Sequence, residues 1–188
     1  MLFNQSFHQL ISWNNEIYTL GAILPDNQND INQGMKELST QSVRNRFLGA
    51  KKELTKRELE YLTTLDGFNH FALGLKNLKN EGIGVARMVK DQQDTNQTEI
   101  AITIIDRYHG KGLGTLLYQM ILLAAYERGA DTISVHLLRE NQQMQKIVTK
   151  IGKRERTLYE HELVTYFIKL SENDILPIRA LLEKIKVK

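Results

Sequence analysis

Hydrophobic and polar residues alternate in several short segments of the chain, and this alternation predicts a β-sheet. A period of two residues places one face of each strand against a core and the other face outward. The segments with this pattern are EIYTLGAIL (16–24), FNHFALGL (68–75), GIGVARMV (82–89), TEIAITIID (98–106), TISVHLL (132–138), RTLYE (156–160) and LVTYFIKL (163–170).

Helical segments separate these strands. The clearest start is Thr55-Lys56-Arg57-Glu58, a capping box that satisfies two backbone donors of a first turn. The segment 112–128 is apolar almost all round, which predicts a deeply buried helix that ends at Gly129. The predicted helices are 27–48, split near Ser39-Thr40, then 55–65, 112–128, 141–151 and 174–188. The order β-α-α-α-β-β-β-α-β-α-β-β-α predicts an α/β fold with a mixed sheet, not a repeating βαβ array.

Composition narrows the classes of function. The 188 residues, 41% hydrophobic and 25% charged, predict one globular domain over 1–188. A net charge of +3 suits an anionic small ligand but is too weak to indicate a nucleic-acid partner. The absence of cysteine excludes disulfides, thiolate metal ligands and a cysteine nucleophile. No signal peptide and no apolar run of roughly 18 residues is seen, so we expect a cytoplasmic protein without a membrane partner.

The heptapeptide HGKGLGT (109–115) is the most informative motif, because it lies between a buried strand and a buried helix. Backbone N–H groups at a helix N-terminus bind phosphate oxygens, and glycines let those oxygens approach closely. The P-loop pattern does not fit, since no glycine stands at 105. The dinucleotide pattern GxGxxG fits less well, since its third glycine would fall one residue early, at Gly114. A glycine-rich turn without a ligand is the plainer alternative.

The segment from Glu99 to Gly152 resembles the core of the GNAT superfamily of acyl-CoA-dependent N-acyltransferases. The family motif Q/R-x-x-G-x-G/A is matched by HGKGLG at 109–114, with histidine in the Q/R place. A long helix, a strand, Asn141 and a glycine-terminated helix then follow in the family's order. Three segments also resemble the GNAT domain of bacterial protein lysine acetyltransferases, which is fused to a second domain in those proteins. They are LSTQSVRNRF (38–47), LTKRELEYLTTLDGFNHFAL (54–73) and TEIAITIIDRYHGKGLG (98–114). We expect a stand-alone version here.

The resemblance implies a fold, a donor and a binding site. The fold is a central mixed, mostly antiparallel sheet with two splayed strands and flanking helices, and the donor is acetyl-CoA, with no metal. Transfer to the amine is expected to be direct, because no cysteine exists and no serine has a nucleophile's context. The acceptor is a protein lysine or a small molecule, and a homodimer is left open. The implied cofactor-binding residues are Ile102, Ile104, Ile105, His109, Gly110, Lys111, Gly112, Leu113, Gly114, Thr115 and Asn141.

Glu99 is the candidate general base. It begins an otherwise apolar strand, on the face shared with Ala101 and Thr103, where we expect it to be half-buried with a raised pKa. Its position also matches the catalytic glutamate of the lysine acetyltransferases that the chain resembles. The plainer reading is a strand-end glutamate in water. We expect the oxyanion donor to be a backbone N–H near Ile104 or Ile105.

One departure from the family pattern keeps a second class of function open. Many GNAT enzymes carry a tyrosine acid seven residues after the asparagine, and this chain has Val148 there. A non-catalytic acyl-CoA-binding module is therefore the alternative, and a solvent-facing Glu99 far from the thioester would favour it. Arg44 and Arg46, on a predicted helix near the acceptor side, are interpreted as a solvated face. His70 is interpreted as a structural residue.

Overall fold

A computed structural model describes residues 1–94 and 96–187 and has the predicted mixed α/β architecture. Its strands form one eight-stranded sheet in the order β1-β2-β3-β4-β5-β6-β8-β7. The strands are β1 His8–Trp13, β2 Glu16–Ala22, β3 His70–Lys76, β4 Gly82–Lys90, β5 Gln97–Ile104, β6 Thr132–Leu138, β7 Lys153–Glu160 and β8 Leu163–Lys169. Every neighbouring pair is antiparallel except β5 and β6, which run parallel. The predicted sheet, mixed but mostly antiparallel, is confirmed.

The helices lie where the sequence predicts them, with small shifts at their ends. They are α1 Gln28–Lys36, α2 Thr40–Phe47, α3 Lys56–Thr63, α4 Leu113–Tyr126, α5 Gln142–Val148 and α6 Glu172–Ile185, with 3-10 turns at Pro25–Asn27 and Asp106–Tyr108. The split near Ser39-Thr40 is confirmed, because Ser39 caps α2 and its side chain accepts a hydrogen bond from the Ser42 N–H. The predicted capping box of α3 also forms.

The prediction missed the first strand. β1 pairs with β2 across a tight turn at Asn14 and Asn15, whose φ angles are 49° and 63°. Positive φ at both central residues defines the hairpin turn that matches strand twist, and asparagine tolerates it well. The Asn-Asn pair was therefore the signal available in the sequence.

Helix α4 forms the centre of the core. It lies against β3, β4, β5 and α6, and its side chains are buried on almost every side, as predicted. The buried residues of α4 are Leu113, Leu116, Leu117, Tyr118, Met120, Ile121, Leu122, Leu123, Ala124 and Ala125. Burial of each large apolar side chain stabilises the fold by about 1.5–3 kcal/mol, so this helix fixes the strands around it.

The C-terminal segment differs from its prediction. Helix α6 ends at Ile185, and the Val187 N–H donates to the Leu10 carbonyl at 3.0 Å, so the tail pairs with β1 rather than extending a helix. The predicted helix end at Lys188 lies outside the described residues. None of the described helices combines the length and apolarity that crossing a lipid bilayer requires.

We predict that Gly152→Ala destabilises the protein more than Gly129→Ala. Both glycines have positive φ, +80° and +85°, so alanine carries a backbone penalty of roughly 1–2 kcal/mol at either position. At Gly152 the new methyl group would also lie 2.6 Å from Ile168 Cγ2 and 2.7 Å from the Lys169 carbonyl oxygen, whereas at Gly129 nothing lies within 4 Å. The added overlap should cost about 1–3 kcal/mol more. Thermal unfolding measures both, and equal losses would contradict this packing.

Candidate active site

The two parallel strands of the sheet diverge soon after they meet. Their pairing covers Gln97 with Thr132, Thr98 with Ile133 and Glu99 with Ser134. Both strands continue beyond this point, β5 to Ile104 and β6 to Leu138. The divergence opens a wedge between them, at the end of β5 that leads into the glycine loop.

The backbone of β5 presents one edge to this wedge. The Ile105 N–H donates to the Ile83 carbonyl at 3.0 Å, so it points toward β4 and away from the wedge. Successive N–H groups of an extended strand point to opposite edges, so those of Ile104 and Ile102 point toward β6. Of the backbone donors that the sequence proposes, Ile102 and Ile104 face the opening and Ile105 does not.

A cleft of about 400 Å³ occupies the wedge. Its described lining carries cationic side chains, Arg46, Lys146 and Lys150, together with two histidines, and includes no Asp or Glu. The lining residues are Ser42, Asn45, Arg46, Ile100, Ala101, Ile102, Thr103, Ile104, Tyr108, His109, Gly110, Gly112, Leu113, Gly114, Thr115, Val135, His136, Leu137, Asn141, Gln143, Met144, Lys146, Ile147 and Lys150. This charge balance suits a polyanionic ligand.

The glycine loop forms one wall of the cleft. Gly110 and Gly112 both have φ of 77°, and Gly112 is the N-cap of α4. The uncapped first turn of α4 therefore points its free N–H groups and its positive dipole end at the cleft. His109 lines the same wall, and its Nε2 lies 2.8 Å from the Ile104 carbonyl oxygen. A Cβ on Gly114 would make only an ordinary contact, 3.5 Å from Ile147 Cδ1.

The first hairpin supports this loop from behind. Trp13 Nε1 and Asn14 Nδ2 both donate to the Lys111 carbonyl, at 3.1 and 2.9 Å. The Lys111 ammonium pairs with Glu16 at 2.9 Å, and this hydrogen bond is the main reason why the pKa of Glu16 is lowered. The side chain of Lys111 is thus directed to the hairpin and is absent from the described lining of the cleft. Its role in cofactor binding stays a prediction.

Helix α5 forms the opposite wall. Asn141 caps it by accepting a hydrogen bond from the Met144 N–H at 3.2 Å through Oδ1, so its amide nitrogen remains free for a ligand. Val148, at the place of the family's tyrosine, is fully buried, and its carbonyl accepts a hydrogen bond from Tyr118 at 3.2 Å. Tyr118 is itself buried, which raises its pKa. It is part of the core rather than of the cleft.

Glu99 lies next to the cleft and is exposed, so the half-buried position predicted for it is wrong. Its backbone is still flanked by Val89 on β4 and Ser134 on β6, so the exposure means that this face of the sheet is left uncovered at Glu99. Its carboxylate acts on the charge of Arg46 on α2. Burial lowers the pKa of the Arg46 guanidinium, and the Glu99 carboxylate acts in the opposite direction. The interpretation of Arg46 as part of a solvated face is also wrong, since Arg46 lines the cleft.

Helix α2 is held over the cleft from both sides. Asp106, after β5, accepts hydrogen bonds from the Ser39 N–H at 3.0 Å, the Ser39 hydroxyl at 2.6 Å and the Ser42 hydroxyl at 3.0 Å. On the other side, Arg44 pairs with Glu140 after β6 and with Glu162 at 2.7 Å. The helix therefore bridges the ends of the two diverging strands.

A second cavity, of about 90 Å³, lies beneath α1 and α2. It shares two wall residues with the cleft, Arg46 and Thr103. Apart from Arg87, Lys76 and Asp30, its described lining is mainly apolar: Ile23, Ile31, Gly34, Met35, Leu38, Phe47, Leu54, Leu62, Gly74, Leu75, Gly82, Gly84, Val85 and Ile105. The site thus has two compartments that meet at one wall. Within the described residues no cluster of histidines and carboxylates is suited to hold a metal ion.

Sequence reasoning missed three residues of the site, Arg87, Lys146 and Lys150, and misread a fourth, Arg46. Lys146 in α5 and Lys150 in the turn after it are spaced by about one helical turn, which was a usable signal that they lie on the same side. The burial of the two arginines depends on contacts between distant segments, and no local pattern in the sequence indicates it.

Comparison with known proteins agrees with this arrangement. Residues 27–154 match the family described as Acetyltransferase (GNAT) domain. Acetyltransferase Pat from Mycolicibacterium smegmatis is 28% identical over 138 residues, which cover 73% of this chain and 41% of that protein. The chain therefore spans less than half the length of this relative.

Solved structures share the fold. The GNAT domain of S. lividans PAT superposes with a TM-score of 0.78 at 19% identity, covering 87% of this chain and 97% of that one. The cAMP-binding acyltransferase from Mycobacterium smegmatis gives a TM-score of 0.60 at 22% identity, covering 95% of this chain and 54% of that one. Because the family match extends from α1 to the start of β7 and includes the diverging strands and the glycine loop, the chain belongs to the GNAT family of N-acetyltransferases.

Proposed function

We propose that this protein transfers an acetyl group from acetyl-CoA directly to an amine. The observation that carries the proposal is the open edge of β5, which faces a cationic cleft and ends at the glycine loop. An extended ligand arm can pair with such an edge as an added strand would.

The cleft residues fit coenzyme A. The free N–H groups at the start of α4 suit the pyrophosphate, and Gly110, Gly112 and Gly114 leave room for its close approach. The backbone groups of Ile102 and Ile104 suit the pantetheine amides, with Asn141 on the opposite wall. Lys146 and Lys150 add positive charge without competing carboxylates in the described lining. His109, Lys111, Leu113 and Thr115 complete the proposed binding segment through their backbone.

Acetyl-CoA supplies a thioester whose acyl carbon accepts the amine and whose thiolate leaves. The amine must first lose a proton, because an alkylamine with a pKa of about 10.4 is almost wholly protonated at neutral pH. We assign this step to Glu99, directly or through one water, since its exposed carboxylate lies on the strand that borders the cleft and acts on the charge of Arg46, which lines the cleft. The Ile104 N–H, on the open edge, would donate to the thioester oxygen as negative charge develops on it.

The exposure of Glu99, taken alone, would suit a non-catalytic acyl-CoA-binding module. Two observations favour the enzyme. Glu99 lies on the same sheet face as Thr103, which belongs to both compartments, and a second compartment beside the donor cleft is what an acceptor requires. Val148 stands where many GNAT enzymes have a tyrosine as general acid, but a thiolate leaves readily without a general acid. The resemblance to protein lysine acetyltransferases makes lysine one acceptor class, and a small amine is the other.

The broader expectations from the sequence also stay proposals. We propose that residues 1–188 form one acyltransferase domain that acts in the cytoplasm without a metal. A homodimer is an open possibility for its assembly.

We predict that CoA and acetyl-CoA stabilise the protein and that replacing both cleft lysines together, Lys146→Gln and Lys150→Gln, weakens this effect. A ligand at ten times its dissociation constant adds about 1.4 kcal/mol of stability, whereas a tenfold weaker complex would gain only about 0.4 kcal/mol. Both lysines are exposed, so the variant should fold normally. Thermal shift with CoA, acetyl-CoA and NAD measures this.

Lys36→Gln together with Lys79→Gln is the matched control, because both lysines are exposed and lie outside the cleft. It should retain the full shift with CoA. Stabilisation by NAD but not CoA would instead support the dinucleotide interpretation of HGKGLGT.

We predict that Glu99→Gln lowers kcat for amine acetylation by about 10²–10⁴ and leaves the KM for acetyl-CoA unchanged. The amide keeps the size of the side chain but cannot accept the proton. Steady-state kinetics with varied acetyl-CoA measures both constants. Glu155→Gln, an exposed carboxylate on β7, is the control and should match the wild type. A kcat near the wild-type value in Glu99→Gln would remove Glu99 from the mechanism.

A further inference from the structure

Two guanidinium groups line the second cavity, and neither forms an ion pair with a carboxylate of the described residues. Arg46 and Arg87 both contribute to its wall. The arginine ion pairs in the described part of the chain belong instead to Arg44, Arg107 and Arg179. The other ionic pair of the cavity, Lys76 with Asp30 at 2.8 Å, neutralises itself. The cavity therefore carries a net positive charge.

Arg87 is the more deeply placed of the two, with a relative exposure of 5%. Its Nη2 donates to the Leu62 carbonyl at 2.5 Å, and its Nη1 contacts the ring of His70. Burial, followed by the charge of Arg87, lowers the pKa of His70 to about 4, so His70 is neutral and can accept this hydrogen bond. The Nε atom of Arg87 is buried and has no partner. A buried charged donor without a partner is costly, which points to a missing ligand.

Arg128 shows what a purely structural buried arginine looks like in the same protein. It also lacks a close carboxylate bond, but Nε, Nη1 and Nη2 donate to the carbonyls of Gly67, Ala124 and Phe3. Its exposure is 2%. Arg87 differs from it by having an unsatisfied nitrogen on a cavity wall, so burial alone does not explain Arg87.

The charges of Arg46 and Arg87 act on each other. Burial lowers the pKa of Arg87 to about 10, and Arg46 contributes to the lowering. Both groups remain positive at neutral pH, and their repulsion would be relieved by an anion between them. A second unsatisfied group belongs to the same cavity, because the Thr103 hydroxyl is buried without a partner on the wall that the cavity shares with the cleft.

We infer that the acceptor is a small amine that also carries a carboxylate, an amino acid with an apolar side chain, and that Arg46 and Arg87 bind its carboxylate. This inference rests on the proposed acetyl transfer and specifies its acceptor. Planar guanidinium groups suit a planar carboxylate, because the two can form paired hydrogen bonds. The apolar walls, including Ile31, Met35 and Leu38, suit the side chain.

The register of the sheet places the carboxylate site near the proposed base. Arg87 lies opposite Ala101, and the flanking pairs are Val89 with Glu99 and Val85 with Thr103. Opposite residues share a face, so Arg87 lies diagonally between Glu99 and Thr103 on one face of the sheet. An acceptor whose carboxylate reaches Arg87 can thus direct its amine to Glu99 and the cleft. A lysine side chain within a polypeptide offers no carboxylate for this position.

The first test compares acceptors in the wild-type protein at saturating acetyl-CoA. Leucine, methionine and phenylalanine are each compared with their amide and methyl ester, and with a lysine-containing peptide. CoA release and product mass measure the reaction. We expect kcat/KM for the free acids to exceed that for the amides and esters by about 10- to 100-fold, the range of a lost charge-assisted hydrogen bond.

The second test removes the guanidinium. Arg87→Gln should raise the KM for leucine by about 10- to 100-fold while the KM for acetyl-CoA is unchanged, because Arg87 lines only the second cavity. If Arg87→Gln does not fold, Arg46→Gln tests the same carboxylate site, because Arg46 is only half-buried and its replacement should not prevent folding. Arg57→Gln, an exposed arginine on α3, removes the same charge and should have no effect. The thermal shift produced by leucine in the presence of CoA provides a readout independent of turnover.

The results separate this inference from the proposed function. Equal acetylation of free acids and esters, or a preferred peptide substrate that Arg87→Gln handles as well as the wild type, would overturn the inference and keep the acetyltransferase. So would the absence of both turnover and thermal shift with every free amino acid in a protein that CoA stabilises. A protein that CoA fails to stabilise would instead overturn the proposed function.

Discussion

The divergence of β5 from β6 is the constraint on which the rest of the site depends. A sheet normally satisfies its backbone groups by pairing, and these two strands stop pairing after Glu99 and Ser134. The open edge, the cleft and the exposed start of α4 all follow from that single departure. The sheet can tolerate it because α4 packs against β5, while α5 packs against both α4 and β6.

Two tethers keep the opened region in shape on the other face. Asp106 holds the start of α2, and Arg44 in the same helix reaches Glu140 beyond the cleft. Burial would raise the pKa of Asp106, but hydrogen bonds from Ser39 and Ser42 outweigh it and keep the carboxylate ionised. The helix that carries Arg46 is therefore positioned by polar contacts at its two ends rather than by a large apolar face.

The sequence predicted those parts of the site whose chemistry is local. A strand, a glycine-rich loop and a buried helix are contiguous at 98–128, and Asn141 caps the helix that it precedes, so these features could be recognised without the fold. Arg87 could not, because GIGVARMV contains no hint that one side chain of β4 would be buried beside α2. The exposure of Glu99 was missed for a related reason, since it depends on how far distant segments cover this face of β5.

Because the first hairpin supports the glycine loop, the order of folding determines when the protein can bind its ligand. Trp13 and Lys111 are 98 positions apart, so the loop takes its final form only after one of the longer closures in the chain. Contacts between such distant residues form slowly compared with local helices and hairpins. During synthesis the hairpin emerges before the glycine loop that it supports. A folding intermediate with a complete core but an undocked N-terminus would look native by its helices and would still lack a rigid phosphate site.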